Sequence, residues 1–369
     1  VSVRDGLVVD VGGTTTDIAV LRDGRPGLNP EGASVGSWRT MVEAVDMRTA
    51  GIGGDSHVQV TREGEILIGP RRVIPLSILA AQDPNVVKEL RKQIMLLDGF
   101  DERAAQFMTP MRTVPTNGRD PQPAERELLG AIERGVRSLI GLTSSTRFPR
   151  HYLSYLYSWE DEGYLLRAGF TPTDASIVLG LYNGWDREAA ELGAKLLSRM
   201  AGLSVEEFCE RVSQKTSDKI AREVLGKVFD DDCKLSLNGA DGVGRFLIDD
   251  ALGTVRSPAQ LHCQLNLDLP LVAIGAPVEI YMPPVARALN TDLSVPRHAG
   301  VANAIGAVSG SVVQTVRLLI SPDEGERMRL HAPAGLFEYA SLDEALEAGH
   351  RMGRELALER AQSAGASDV

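Results

Sequence analysis

Residues 7–21 read Leu-Val-Val-Asp-Val-Gly-Gly-Thr-Thr-Thr-Asp-Ile-Ala-Val-Leu. Apolar residues stand on both sides of a polar octapeptide, Asp10 to Asp17. Short apolar runs of this kind, separated by glycine, predict a strand, a tight turn and a second strand. The polar group Arg22-Asp23-Gly24-Arg25 then ends the second strand.

The octapeptide has the composition of a phosphate-binding turn. Glycines let the backbone approach a ligand closely and aim N–H groups at an anion, and threonine hydroxyls add donors. An aspartate at each end can hold a hydrated divalent cation or orient a water. The stretch therefore predicts a phosphate and metal site, with a plain hairpin turn as the alternative. Its candidate residues are Asp10, Gly12, Gly13, Thr14, Thr15, Thr16 and Asp17.

Bulk properties limit the class of protein. A chain of 369 residues, 43% of them hydrophobic, can bury a full core and form two or three domains. Its net charge of −11 argues against general binding to nucleic acid or to an anionic membrane. Three well-separated cysteines indicate reduced thiols and favour a cytoplasmic protein. No apolar run approaches the roughly 18 residues of a membrane span.

Strand-like and helical patterns alternate in blocks, which predicts the α/β class. We expect four regions: a strand-rich start over 1–74, a helical insert over 75–170, a helical region with further sheet over 171–320, and a strand and helix segment over 321–369. One long helix is expected over Ala299–Ile320, and another helix is expected to start near Pro284.

The insert has a winged-helix-like pattern of three helices followed by a strand pair that starts at Gly163. Winged helices often bind nucleic acid, but residues 101–170 contain as many acidic as basic side chains, so no basic face is expected. We expect a structural or protein-contact role for this insert.

Two further glycine-bearing segments follow apolar runs. The first, Thr49–Ser56, is a second potential anion nest, or an ordinary glycine-rich turn; its candidates are Gly53, Gly54, Asp55 and Ser56. The second contains Gly275, Ala276 and Pro277, whose small residues would let a flat adenine or ribose lie against the backbone. A plain loop is the alternative there.

Other chemistry-bearing residues fit structural roles better. The run Asp230-Asp231-Asp232 stands at a helix end and predicts a solvated turn rather than a metal site. His57 and His298 are each open to two readings, a group facing a cleft or a packing residue. The histidines have no zinc-ligand spacing.

Taken together and in order, these pieces resemble the hydantoinase/oxoprolinase family, within the superfamily of actin-like, sugar-kinase-like and chaperone-type ATPases. The resemblance extends in a consistent order over about two thirds of the chain and corresponds to the C-terminal-lobe portion of that family. They are Val9–Asp17, Asp46–Ser56, Phe170–Ala175, Ile274–Pro277 and Ala299–Ala307.

The resemblance implies ribonuclease-H-like ATPase lobes with ATP and Mg²⁺ between them. It implies phosphoryl activation and ring opening of a cyclic amide such as a hydantoin or 5-oxoproline. Asp10 and Asp17 would then be catalytic and hold Mg²⁺ through water, and Gly12 to Thr16 would hold phosphate oxygens. Gly53 to Ser56 would extend this cradle, and Gly275 to Pro277 would flank adenosine.

Members of this family usually carry two such phosphate loops, and this chain has one. The resemblance therefore implies a missing N-terminal lobe or a partner subunit, and it is compatible with a homo-oligomer. Two other functions remain open: an ATP-driven reactivating or accessory protein that remodels a partner enzyme, and a non-catalytic scaffold lobe.

Overall fold

The computed structural model describes residues 3–32, 34–35, 38–39, 41, 43–115, 120–144, 149–237, 241–254, 260–309, 314–323 and 327–366. The chain divides into two compact units, Val1–Ala302 and Asn303–Val369. Every residue of the predicted phosphate and adenosine segments lies in the first unit.

The strands in chain order are β1 (Gly6–Val11), β2 (Thr16–Arg22), β3 (Arg25–Pro26), β4 (Leu28–Asn29), β5 (Ser34–Val35), β6 (Trp38–Arg39), β7 (Ala44–Val45), β8 (Met47–Ala50), β9 (Ser56–Val60), β10 (Ile66–Arg72), β11 (Ile74–Pro75), β12 (Phe107–Pro110), β13 (Arg137–Ser138), β14 (Leu165–Gly169), β15 (Leu271–Ile274), β16 (Leu293–Ser294), β17 (Leu319–Pro322), β18 (Met328–Ala332) and β19 (Gly335–Tyr339).

The α-helices are α1 (Leu76–Gln82), α2 (Asn85–Leu96), α3 (Pro123–Ile132), α4 (Leu139–Thr143), α5 (Pro149–Asp161), α6 (Pro172–Val178), α7 (Arg187–Ala201), α8 (Val205–Val228), α9 (Gly242–Ala251), α10 (Val278–Ala288), α11 (Ala302–Ser309) and α12 (Leu342–Ser363). A π-helical turn, Phe229–Cys233, extends α8, and a 3₁₀ turn, Ala299–Val301, precedes α11. The mixture of helices with several sheets confirms the α/β class.

The central sheet of the first unit has the order β16-β15-β1-β2-β3, and β8 also pairs with β2. Strand β2 is antiparallel to β1 and to β8, whereas β15 is parallel to β1 and to β16. The strand–turn–strand prediction for residues 7–21 is therefore confirmed. Leu7, Val9, Val11 and Ile18 are fully buried, which fixes the register of the two strands.

Helices α6, α7, α8 and α10 pack against one another in the same core. The longest, α8, starts at the capping box of Ser204 and Glu207, as the sequence predicts. The hairpin of β9 and β10 joins this core through Val58, Ile66 and Ile68.

A second hydrophobic cluster extends from Met108 to Leu165 and contains α3, α4 and α5. Helix α3 begins at Pro123, where a first-turn proline is expected. The strand predicted to follow the three helices from Gly163 is β14. It begins at Leu165, two residues after the predicted start. Its antiparallel partner, β12, precedes the three helices instead of following them, so the predicted strand pair is wrong in order.

Two helix predictions need correction. Helix α10 begins at Val278, not near Pro284, and contains Pro283 and Pro284. A proline inside a helix costs about 3 kcal/mol, but burial of Tyr281 and Met282 favours the longer helix.

The predicted helix over Ala299–Ile320 is also wrong. Helix α11 ends at Ser309, residues 310–313 lie outside the described part, and β17 begins at Leu319. The reason is packing: Leu318 and Ile320 lie beside Gly353 and Gly349 of α12.

The second unit contains most of α11, the antiparallel sheet β17-β18-β19 and α12. Leu330, Ala345 and Ala348 form its buried contacts. Among the residues that the structure describes, no helix is both long and apolar enough to cross a membrane.

Candidate functional site

The polar octapeptide forms the turn between β1 and β2. The Gly12 N–H donates to the Thr15 carbonyl at 2.8 Å and closes the turn. The N–H groups of Gly13, Thr14 and Thr15 have no acceptor among the residues that the structure describes. Three consecutive amides without an acceptor are the arrangement that is typical of anion-binding backbone nests.

The three threonine hydroxyls have different surroundings. The Thr16 hydroxyl is buried and donates to the Ile52 carbonyl at 2.8 Å. The Thr15 hydroxyl donates to Asp17 Oδ2 at 3.1 Å. Thr14 is exposed at the tip of the turn. The predicted role of a phosphate donor therefore fits the Thr14 hydroxyl, whereas the other two hydroxyls are occupied within the fold.

Asp10 and Asp17 are opposite each other in the β1–β2 ladder. Directly opposite side chains share one face of a sheet, with Cβ atoms about 4.5–5.5 Å apart, and like charges there destabilise the pair. Asp17 Oδ1 also accepts from the Thr49 hydroxyl at 2.5 Å. Two oriented carboxylates on one face therefore suit a cation held jointly with phosphate and water.

The second glycine segment lies against the turn and contacts it through the backbone. The Gly54 N–H donates to the Gly12 carbonyl at 3.1 Å, and the Asp55 N–H donates to the Gly13 carbonyl at 2.7 Å. A Cβ on Gly53 would lie 2.4 Å from the Gly12 oxygen, so the approach requires glycine. The segment therefore holds the turn Gly12–Thr15, which we call the phosphate turn. We call Gly51–Ser56 the clamp.

The hydroxyl of Ser56 is used inside the clamp. It is buried and accepts the Gly53 N–H at 3.0 Å. The N–H groups of Gly53, Gly54 and Asp55 are thus all occupied by the protein. Of the four residues predicted to extend the phosphate cradle, Asp55 presents its side chain beside the turn, with its Oδ2 only 2.7 Å from where a Gly13 Cβ would be.

A buried carboxylate holds the clamp in place from the other side. Thr173, at the start of α6, donates both its N–H and its hydroxyl to the Gly54 carbonyl, each at 2.9 Å. Asp174 is fully buried, and its carboxylate accepts from Leu76, Ser77 and Thr171. Burial raises the pKa of Asp174, and these donors limit the rise. Asp174 therefore fixes α1 and α6, and α6 fixes the clamp.

The predicted adenosine segment also reaches the phosphate turn. Gly275 has a φ of +109°, and a Cβ there would lie 2.1 Å from the Val11 carbonyl oxygen and 3.1 Å from Asp10 Oδ1. Its N–H donates to the Ala299 carbonyl at 2.9 Å. Gly275 thus allows β15 to end directly beside Asp10.

A cavity of about 200 Å³ lies between these segments. Its lining combines residues of the two glycine segments and of α6 with mainly apolar residues. They are Gly13, Gly54, Asp55, Thr173, Ser176 and Tyr281, together with Ile78, Tyr182, Trp185, Ala276, Pro277 and Ile280. The structure therefore brings parts of all three predicted segments to one pocket, which we call the turn pocket.

Two polar residues of the turn pocket, Asp55 and Tyr281, have shifted pKa values. Burial raises the pKa of Asp55, and the neighbouring Arg72, whose guanidinium donates to Asp55 Oδ2 at 3.2 Å, opposes that rise. The Tyr281 hydroxyl lies 3.2 Å from the Ser176 hydroxyl, and burial raises the pKa of Tyr281, so its phenol stays protonated at neutral pH.

Neither His57 nor His298 lines the turn pocket. His57 is buried, with Nε2 only 2.9 Å from where a Gly169 Cβ would be, and burial lowers its pKa to about 3. His57 is therefore a neutral packing residue. His298 is exposed before the 3₁₀ turn and makes no side-chain cap.

The acidic run is a set of ion pairs at a turn. Arg48 contacts Asp230 at 2.6 Å, and the buried Lys227 contacts Asp231 at 2.9 Å and Asp46 at 3.1 Å. Within the described ranges, no group of three or more His, Cys, Asp or Glu residues is arranged to hold a metal ion. The run ties the end of α8 to β8.

Sequence reasoning gave no role to several residues of the site. Thr49 and Thr173 stand within the resembling stretches, and their hydroxyl contacts depend on neighbours far along the chain. Tyr182 and Trp185 lie on the polar link between α6 and α7, where no periodicity marks them. Exposed aromatics in a glycine-containing loop are the signal that would have identified them.

The protein-family model described as hydantoinase/oxoprolinase matches residues 2–316 of this chain. No curated protein matches the chain. Two similar solved structures are a nucleotide-free acetone carboxylase, from work on the mechanism of ATP-dependent acetone carboxylation, and an ATP-dependent caprolactamase from Pseudomonas jessenii.

The first of these structures is 15% identical with a TM-score of 0.45, and the alignment covers 87% of this chain and 31% of the carboxylase chain. The second is 14% identical with a TM-score of 0.45, and the alignment covers 100% of this chain and 37% of the caprolactamase chain. This chain therefore spans about a third of the length of either protein.

Proposed function

The chain belongs to the hydantoinase/oxoprolinase family, and we propose that it is the nucleotide-binding part of an ATP-dependent hydrolase that opens a small cyclic amide. The observation that carries the proposal is the clamped turn. The carbonyls of Gly12 and Gly13 accept from Gly54 and Asp55, while the amides of Gly13, Thr14 and Thr15 have no acceptor among the described residues. Such preorganised N–H groups are what a phosphate requires.

The triphosphate of ATP would lie on the tip of the turn. The N–H groups of Gly13, Thr14 and Thr15 and the Thr14 hydroxyl supply donors for its oxygens. Because the clamp holds the turn before the ligand arrives, these donors need little reorganisation on binding. Ala276 and Pro277 would flank the nucleoside.

The carboxylates of Asp10 and Asp17 fit a magnesium ion. Mg²⁺ is usually held by one or two carboxylates together with waters and substrate phosphates. Two carboxylates face one another across β1 and β2, and the absence of a side chain on Gly275 keeps Asp10 accessible from β15. When bound, Mg²⁺ supplies charge neutralisation for the phosphates. The threonines at positions 15 and 49 hold Asp17 in its orientation.

The proposed reaction joins ATP hydrolysis to ring opening. One cyclic amide, one ATP and two waters give the ring-opened amino acid, ADP and phosphate, with the amide C–N bond broken. The amide oxygen takes the γ-phosphoryl group of ATP and ADP leaves; one water then adds to the activated carbon, the C–N bond breaks to give an acyl phosphate and the free amine, and a second water releases phosphate. The role of this chain is to position the phosphates and to hold the ring beside them.

We further propose that a second lobe completes the site. The sheet order, with antiparallel β8, β2 and β1 followed by parallel β15 and β16, supports a ribonuclease-H-like lobe. In the resembling family, two such lobes enclose the nucleotide, and this sequence contains one phosphate loop. The opposite loop would come from another lobe or subunit.

Calorimetric titration of the full 369-residue chain with ATP and Mg²⁺ tests the nucleotide part of this proposal. We expect saturable binding that is lost when EDTA removes Mg²⁺. If the chain does not bind ATP, the function that remains is that of a non-catalytic scaffold lobe.

Phosphate release tests the enzymatic part. We expect hydantoin or another small cyclic amide to increase phosphate release from ATP. If a partner protein increases release and no cyclic amide does, the function is that of a reactivating protein and the hydrolase proposal is wrong.

A further inference from the structure

A second cavity, of about 500 Å³, is lined by α2 and by the segment that runs from the end of α3 to α4. Its lining comes from residues within 83–92 and 131–144, together with Phe107. We call this cavity the α2 cleft. Among the described residues, none lines both the α2 cleft and the turn pocket. The volume of the cleft is within the range of about 300–1,000 Å³ that is typical of small-molecule sites.

The α2 cleft is cationic in a chain that is acidic as a whole. Of the described side chains that line it, four carry a positive charge and two carry a negative charge. The cations are Lys88, Lys92, Arg134 and Arg137, and the acids are Asp83 and Glu89. The lining therefore has two positive charges in excess, whereas the net charge of the chain is −11. A local excess of this kind attracts an anion to the cleft.

The four cations have no acidic partner within the described part of the chain. The side chains of Lys92 and Arg134 make no ion pair or hydrogen bond with the described residues. The Arg137 guanidinium donates to two backbone carbonyls, at 3.3 and 3.4 Å. Arg91, which follows Lys88 on α2 but lies outside the lining, instead pairs with Glu188 at 2.5 Å. Guanidinium groups without an acidic partner suit the oxygens of a carboxylate or a phosphate.

The lining also contains buried apolar side chains and an engaged carboxylate. Val86, Phe107 and Leu142 are buried and belong to the lining. The buried Ser138 donates its hydroxyl to Glu89 Oε2 at 3.1 Å, so one of the two acids already has a donor from the protein. Apolar side chains together with a few charged groups favour a ligand that has an apolar body and anionic ends.

From this lining we propose that the α2 cleft binds a small organic dianion, in which an apolar body carries either a phosphate group or two carboxylates. Lys92, Arg134 and Arg137 bind its oxygens, and the apolar body lies against Val86 and Phe107. Two negative charges match the excess of two positive charges in the lining. This site is separate from the proposed nucleotide site and does not depend on it.

Calorimetric titration of the full chain, without ATP, tests the site. The probes are phenyl phosphate and phthalate, which represent the phosphate and the dicarboxylate classes, with inorganic phosphate and benzyl alcohol as controls. We expect at least one of the two organic dianions to bind at least about tenfold more tightly than either control, because the controls lack the apolar body or the charge. Added salt should weaken this binding.

Variants identify the residues. The double variant Lys92→Gln, Arg134→Gln should weaken binding of the organic dianion at least about tenfold. Arg91→Gln is the matched control, because it removes a positive charge from α2 outside the cleft, and it should leave binding unchanged. Glu89→Gln keeps an acceptor for the Ser138 hydroxyl but removes a negative charge, so it should strengthen binding severalfold.

Three outcomes would overturn the proposal. The first is equal affinity in the double variant and in Arg91→Gln, which would mean general attraction to positive charge. The second is binding that Thr14→Ala abolishes and the double variant retains, which would place the probe at the phosphate turn. The third is binding of polyglutamate without binding of either organic dianion, which would make the cleft a surface for an acidic protein segment.

Discussion

The phosphate turn, Gly12–Thr15, and the clamp, Gly51–Ser56, look alike in sequence but use their backbone groups in opposite ways. In the turn, three consecutive amides have no acceptor within the described part of the chain. In the clamp, the amides of Gly53, Gly54 and Asp55 all donate to the protein. A glycine-rich segment can therefore either leave its amides free of protein acceptors, as our proposal requires of the turn, or use them to hold a neighbouring segment.

The difference lies in the neighbours of each segment. The clamp stands between the turn and α6, and its glycines allow two backbones to approach more closely than a Cβ permits. The turn has the clamp on one side and a cavity on another. Disrupting the clamp should therefore damage the fold, whereas changes at the tip of the turn should damage binding alone.

The largest expected effect comes from Gly53→Ala. Its Cβ would lie 2.4 Å from the Gly12 oxygen and 2.6 Å from the Gly13 oxygen, and neither backbone oxygen can move without opening the clamp. We expect the free energy of unfolding to fall by about 3 kcal/mol and ATP binding to be lost. Urea denaturation and calorimetry measure both quantities.

Gly130→Ala is the matched control, because its Cβ meets nothing within 4 Å. It should be neutral or slightly stabilising, since alanine favours a helix. Wild-type stability and ATP affinity in the Gly53 variant would show that no clamp exists.

The next effect concerns Asp10→Ala, which removes one of the two facing carboxylates. We expect Mg²⁺-dependent ATP binding to weaken at least about 100-fold, which corresponds to about 2.7 kcal/mol. The free energy of unfolding should change little, because the change also relieves repulsion between like charges. Glu63→Ala, an exposed change of equal charge on another turn, is the control. Unchanged ATP affinity in the Asp10 variant would mean that Asp10 does not hold the metal ion.

Two threonine variants separate the structural hydroxyl of the turn from the hydroxyl that we expect to bind phosphate. Thr16→Val leaves the Ile52 carbonyl without its buried donor and should lower the free energy of unfolding by about 1–3 kcal/mol. Thr14→Ala should leave stability unchanged and weaken ATP binding about tenfold, through loss of one hydrogen bond to a charged phosphate. The opposite assignment of the two effects would contradict the division between ligand-binding and structural hydroxyls.

The smallest effect is a dependence of stability on pH through His57, which follows the clamp directly. The pKa of His57 is lowered by burial from 6.5 to about 3. The unfolded chain therefore binds a proton below pH 6.5 that the folded chain does not, so stability from this residue is present above pH 6.5 and is lost on acidification toward pH 3. The expected slope is about 1.4 kcal/mol per pH unit.

His57→Gln should remove that slope when unfolding is measured at pH 4, 5 and 6. Equal slopes for the variant and the wild type would mean that His57 is protonated in the folded protein.

The sequence was sufficient for local structure but not for the contacts between segments. Apolar runs on either side of Gly12 and Gly13 predict β1 and β2, since that pattern is local. The extent of α10 was not predictable, because burial of Tyr281 and Met282 outweighs the two prolines. The strand β17 was missed because its side chains pack against α12, which is more than 20 residues away.

The same limit applies to the site. The residue types and order of the three segments identified the family and the loop. Which hydroxyl faces a ligand was beyond sequence reasoning, because Thr14, Thr15 and Thr16 are chemically identical and their neighbours, Ile52 and Asp17, decide their roles. Trp185 was also missed, since nothing in its local sequence indicates that it lines the same pocket as Gly13 and Ala276.

Amide hydrogen exchange with and without ATP and Mg²⁺ compares the turn and the clamp most directly. We expect the amides of Gly53, Gly54 and Asp55 to exchange slowly in the free protein and to change little when nucleotide is added. The amides of Gly13, Thr14 and Thr15 should exchange quickly in the free protein and become protected by nucleotide. Fast exchange at residues 53–55 that nucleotide suppresses, with no change at residues 13–15, would contradict the assignment of the two segments.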